Sequence, residues 1–91
     1  MSTFGKHSVT AEMIDAALRQ ALSPKALQVV DDSHQHVGHA GARDGSHFSV
    51  SIAAACFNEL SLVQRHRLVY DALRDLIPQG IHALAIKAEP A

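Results

Sequence analysis

The chain is 91 residues long, 47% apolar and close to neutral, with a formal net charge of −1. This length allows one domain at most, the apolar share excludes a disordered chain, and the charge lacks the basic surplus that grips a phosphate backbone. One cysteine, Cys56, excludes an internal disulfide framework and fits a reducing compartment, while no apolar run is long enough to span a bilayer and residues 1–6 lack the apolar region of a secretory signal, so a soluble, cytoplasmic protein is expected.

Residues 1–8 read as a loose terminus, residues 9–88 as the domain and residues 89–91 as a flexible tail. Thr10 can cap a helix, with Glu12 near its positive end. Met13, Ile14, Ala17, Leu18, Ala21 and Leu22 recur at helical spacing and predict one apolar face. Ser23-Pro24 ends that helix, because proline disfavours helical geometry in the residue before it. Residues 27–31 predict a strand. A loop follows, with Gly38, Gly41 and Gly45. Residues 47–53 predict the clearest strand: Phe48, Val50 and Ile52 point one way, and His47, Ser49 and Ser51 the other.

Residues 54–60 predict a short helical turn. Ser61 caps a second helix running to about Ile77, its apolar stripe being Leu62, Val69, Leu73 and Leu76 with Val63, Tyr70 and Ile77 beside it, and His66 inside it. Pro78 and Gly80 end this helix. Residues 81–87 predict a last strand, with His82, Leu84 and Ile86 on its bulkier face. Helix, two antiparallel strands, short helix, helix and a crossover strand make an α+β fold: a three-stranded mixed sheet with helices packed on one face.

Four of the seven histidines fall between residues 31 and 48. His34, His36 and His39 form an H-x-H-x-x-H run, which suits metal binding, although a solvated loop has the same composition. By spacing alone His82 is a structural histidine or a ligand. His47, opposite Phe48, reads as solvent-facing or hydrogen-bonded to the loop. His66 reads as packing and His7 as a terminal bystander. Arg65 and Arg67, with Arg74 further on, suit contact with phosphate or a negative partner surface, or form a solvated face offset by Asp71 and Asp75. Cys56 reads as a small buried residue.

The stretches SLVQRHRLVYDAL at 61–73, GIHALAIKA at 80–88, VVDDSHQHVGHAG at 29–41 and SHFSVSI at 46–52 closely resemble the BolA family, and the resemblance covers nearly all of the chain from about residue 9. It implies a fold like a class II KH domain, α-β-β-α-α-β. It further implies a heterodimer with a monothiol glutaredoxin, sharing a 2Fe-2S cluster with that partner and glutathione, in iron-sulfur trafficking or iron regulation. None of this cofactor is expected in the isolated chain. Some bacterial members are described as DNA-binding transcription regulators of stress response or morphology, which is the alternative reading, with Arg65, His66 and Arg67 as the nucleic-acid or partner-docking group.

The histidine of GIHAL, here His82, is the metal ligand that the resemblance carries over. The second ligand comes from the loop, as histidine in some members and cysteine in others; this loop holds no cysteine, and the candidates are His36 or His39, with His34 third. Imidazole can replace thiolate on iron, as in Rieske centres, and makes a cluster easier to release, which suits transfer or sensing. The chain departs from the family pattern at Phe57-Asn58-Glu59, where glycine is common at the position of Glu59. Asn58 is expected to supply the turn there, since asparagine tolerates positive φ, and the lack of a GXXG loop disfavours KH-style clamping of nucleic acid. Catalysis is not expected: a zinc hydrolase built on the loop histidines and His82 would have only Asp31 and Asp32 as candidate bases.

Overall fold

The computed structural model describes residues 9–32 and 46–91. The elements run α1 (Ala11–Leu22), β1 (Ala26–Asp31), β2 (Ser46–Ala54), a single 3-10 turn (Ala55–Phe57), α2 (Leu62–Ala72), α3 (Ile77–Gly80) and β3 (Ile81–Pro90). The α+β class is the one the sequence predicts, and so is the order, except that the single long helix predicted from Ser61 to Ile77 is two helices, α2 and α3. The sheet order is β1-β2-β3, with β1 antiparallel and β3 parallel to the central β2.

Local chemistry starts and stops the helices. The Thr10 side chain accepts the Met13 N–H at 3.2 Å, relieving one of the free donors of a first turn. Ser23 closes α1 with φ 46°. Ser61 and Gln64 form a reciprocal capping box at the start of α2. The second helix ends at Ala72, short of the predicted Ile77. Pro78 has no N–H for the carbonyl four residues back, and its ring crowds that carbonyl. The chain therefore tightens, with Leu76 N–H to Leu73 O at 2.8 Å, and restarts as α3 with Pro78 in the first turn, where its missing donor costs nothing.

The core lies between one face of the sheet and the helices. Phe48, Val50, Ile52 and Ala54 of β2 pack with Ile14 and Leu18 of α1, Val69 and Leu73, Phe57, and Ala88 of β3. Val9 joins them. Two stripes differ from the predicted ones. Met13 and Ala21 are exposed on α1, and Leu62, Val63 and Tyr70 are exposed on α2, Val63 by 65%. The packed side of α2 keeps the predicted Val69 and Leu73 and adds Leu68 and Ala72.

The last strand continues to Pro90, past the predicted end at Lys87. Residues 89 and 90 therefore belong to the sheet rather than to a flexible tail: Ala53 pairs with Glu89 and Ala54 with Pro90. The end is tied by the Ala91 N–H, which donates to Asn58 Oδ1 at 3.1 Å.

The turn before α2 also differs. Asn58 is extended, with φ −60° and ψ 133°, and Glu59 itself takes the left-handed conformation, φ 67°. Asn58 and Glu59 are the central pair of a type II turn closed by the Leu60 N–H to Phe57 O at 3.1 Å, and such a turn needs positive φ at its second central residue. A non-glycine residue there carries about 1–2 kcal/mol of strain, partly offset by the roughly 0.5–1 kcal/mol that glycine's chain freedom costs. Glu59→Gly is thus expected to raise stability by about 0.5–1 kcal/mol in urea denaturation, and Glu59→Val to lower it.

Candidate functional site

The sheet's second face carries no helix among the described residues. Ser49, Ser51, Ala83 and Ala85 alternate with the buried positions of β2 and β3 and point to this side. At its β3 end the parallel ladder is irregular. Ser46 pairs with Ile81 and His47 with Ala83, so His82 is an extra residue, a β-bulge. Bulges re-aim side chains. Ile81 stays buried while His82 and Ala83 are both exposed.

Strict alternation puts His82 on the face of Leu84 and Ile86; the bulge moves it off that face. Its ring instead stands beside that of His47, with centroids 5.3 Å apart and planes at 44°. The structure thus brings together two imidazoles that sequence reasoning kept apart. His47, read as solvent-facing or loop-bonded, is the functional candidate the sequence missed. Both histidines begin adjacent strands, which is a signal, but only the one-residue bulge turns that neighbourhood into a ring contact.

Asp32 lies just past the end of β1. Its N–H donates to His47 O at 2.7 Å, and its carboxylate accepts a hydrogen bond from Ser49 Oγ. Asp32, His47, Ser49, Ala83 and Ala85 line a shallow cleft of about 250 Å³ on the open face. Among the described residues, no third His, Cys, Asp or Glu joins the two imidazoles in a metal-holding group. The loop histidines His34, His36 and His39 lie outside the described residues, in the segment joining Asp32 to Ser46.

The donor chemistry fits iron. Imidazole nitrogen suits iron, zinc, copper and nickel, and two histidines can serve one iron of a 2Fe-2S cluster. His82 is exposed, so a second molecule has access to it.

The RHR segment divides by role. Arg65 donates from Nε to Leu60 O at 3.2 Å and from Nη1 to Ala88 O at 3.1 Å. Its guanidinium therefore staples the turn before α2 to β3, a structural role the sequence did not predict for it. His66 is half-buried and Arg67 exposed. Cys56 is exposed rather than buried, its Sγ 3.8 Å from Leu22 O.

The BolA-like protein family model matches residues 18–91. The chain belongs to the BolA family. Over 78 residues it is 46% identical to SufE-like protein 1, chloroplastic/mitochondrial, of Arabidopsis thaliana, covering 79% of this chain and 21% of that protein. It is 45% identical over 73 residues to Protein BOLA1, chloroplastic, of the same plant, covering 76% of this chain and 46% of that protein. The BolA chain thus spans about a fifth of the first relative and just under half of the second. The solved structure of BolA1 from Arabidopsis thaliana superposes with a TM-score of 0.77 at 37% identity, covering 93% of this chain and 95% of that one. The Escherichia coli relative named DNA-binding transcriptional regulator BolA is 37% identical over 75 residues, covering 82% of this chain and 70% of its own. In this BolA fold no helix among the described residues is long and apolar enough to cross a membrane.

Proposed function

We propose that this BolA-family domain docks on a monothiol glutaredoxin and offers imidazole nitrogens to a 2Fe-2S cluster that the partner and glutathione hold from the other side. The observation that carries this reading is the His47–His82 pair, two nitrogen donors whose rings lie side by side at an accessible end of the sheet. His82 is the first ligand and His47 the donor beside it; His36, His39 and His34 compete with His47 for the second place. The cluster supplies one-electron or transfer chemistry when bound. The chain's own contribution is to present imidazole nitrogens, which bind metal in their unprotonated form, from the starts of two adjacent strands. No catalytic residue is assigned. The reading suits a reducing compartment such as the cytoplasm, with Cys56 unpaired. The plant relatives are named chloroplastic or mitochondrial.

The test is reconstitution. The purified chain alone is expected to carry no cluster and, mixed with a cluster-loaded monothiol glutaredoxin, to form a heterodimer with a shifted visible spectrum. An unchanged spectrum with no heterodimer overturns the reading.

The name of the Escherichia coli relative supports a second reading, DNA-binding regulation, with exposed Arg67 and Arg74 as the cations. The net charge of −1 and the acidic Glu59 at the head of α2 oppose tight backbone binding. Electrophoretic mobility at two salt concentrations separates the readings: weak retardation that vanishes at the higher salt is expected, whereas sequence-specific binding that survives it establishes DNA as the partner.

A further inference from the structure

We propose that Asp32 is a positioning residue for the His47–His82 pair. The inference rests on the reading of those imidazoles as a donor pair, and deepens it by naming what holds them in place.

The backbone around His47 is flanked by a strand on each side. On the β3 side it meets the bulge, where His82 is the extra residue and the ladder is interrupted, so support from that strand is reduced at this point. On the β1 side the last residue of the strand is Asp31. The residue after it adds a further hold. The Asp32 N–H bonds the His47 carbonyl at 2.7 Å, and the Asp32 carboxylate receives the Ser49 hydroxyl. One residue thus grips β2 twice, at His47 and two positions on, by main chain and by side chain.

The second grip lies on the open face, in the cleft that Asp32 shares with His47 and Ser49. The Asp32–Ser49 bond is part-buried, and a hydrogen bond to a charged acceptor is stronger than a neutral one. The strand segment that carries the His47 ring is therefore also held from β1, at the carbonyl of His47 and at Ser49. Asp32 does not join the two imidazoles in a metal-holding group; it acts through the strand that carries one of them.

The test is read on the isolated chain by NMR, through the ring-to-ring nuclear Overhauser effect between His47 and His82. Asp32→Ala and Ser49→Ala are each expected to lose it. The double variant is expected to do no more than either single one, because both remove the same bond. Asp32→Asn, whose side-chain oxygen still accepts from Ser49, is expected to keep it. Ile14→Val, a core truncation in α1, serves as the destabilised control and is also expected to keep it. In the cluster-bearing heterodimer, the visible circular dichroism of Asp32→Ala is expected to move toward that of His47→Ala.

Retention of the ring contact in both Asp32→Ala and Ser49→Ala, or its equal loss in Ile14→Val, overturns the proposal. Since the contact is read without metal, it reports on Asp32 even where the cluster spectrum is indifferent to His82→Ala. That second result would remove the donor reading and leave the positioning result standing.

Discussion

His82→Ala is expected to abolish the change in visible spectrum seen when the chain joins a cluster-loaded monothiol glutaredoxin, while leaving the fold intact. The two halves of this expectation have separate causes. His82 is exposed, and its Cα is the extra residue of a bulge, outside the pairing of Ser46 with Ile81 and His47 with Ala83. Removing its ring therefore opens no cavity, and stability should change by no more than about 0.5 kcal/mol, as for ordinary surface positions. Cluster ligation, by contrast, loses one of the two nitrogen donors that the described residues bring together. His47→Ala is expected to shift the spectrum in the same direction. A variant replacing His34, His36 and His39 together measures the loop's share: a spectrum as altered as that of His82→Ala gives the second place to the loop, and an unaltered one gives it to His47. A spectrum indifferent to His82→Ala would remove the ligand assignment altogether. Far-ultraviolet circular dichroism and urea denaturation on the same samples establish that the variants are folded.

Arg65→Ala is expected to destabilise the domain by about 2–3 kcal/mol, the loss of two charge-assisted hydrogen bonds discounted for partial solvent exposure. Arg65 bonds the carbonyls of Leu60 and Ala88. Ala88 is only 3% exposed, so water does not readily replace the guanidinium there, and an unpaired buried carbonyl carries the cost. For a domain of this size the melting temperature should fall by roughly 10–20 °C. Arg65→Lys should recover less than half, because an ammonium lacks the planar fork that reaches two carbonyls at once. Arg67→Ala, two residues on and exposed, should change stability by no more than about 0.5 kcal/mol. Equal small effects at both arginines would show that the staple contributes nothing. The comparison also separates docking from folding within one motif: loss of partner affinity in Arg67→Ala at unchanged stability marks a docking residue, whereas loss in Arg65→Ala reflects the displaced turn.

Much of the architecture was legible because it depends on short-range rules. Thr10 and Ser61 announced their helices through capping. The alternation of Phe48, Val50 and Ile52 announced the central strand. The helix between the last two strands announced a parallel crossover, and the RHRLVY and GIHAL stretches announced the family. The departures came where turn geometry or a distant contact outweighed residue preference. Asn58 was expected to take the left-handed turn, but the Leu60-to-Phe57 hydrogen bond closes a type II turn whose positive φ falls on Glu59. Leu62, Val63 and Tyr70 fit an apolar stripe by spacing, yet the packed side of α2 runs through Leu68, Val69, Ala72 and Leu73. Residues past Lys87 were expected to fray, yet β2 is long enough to pair with them.

By itself the sequence determined the element order, the α+β class, the family and the presence of a histidine ligand candidate on the last strand, since each follows from local periodicity or a contiguous motif. Tertiary structure alone decided that His82 faces His47, that Asp32 holds β2 at both His47 and Ser49, and that Arg65 is a staple while Arg67 is free on the surface. The reason is physical: strand register is a relation between residues far apart in the chain, and a bulge of one residue redirects a side chain without leaving any mark in the local pattern.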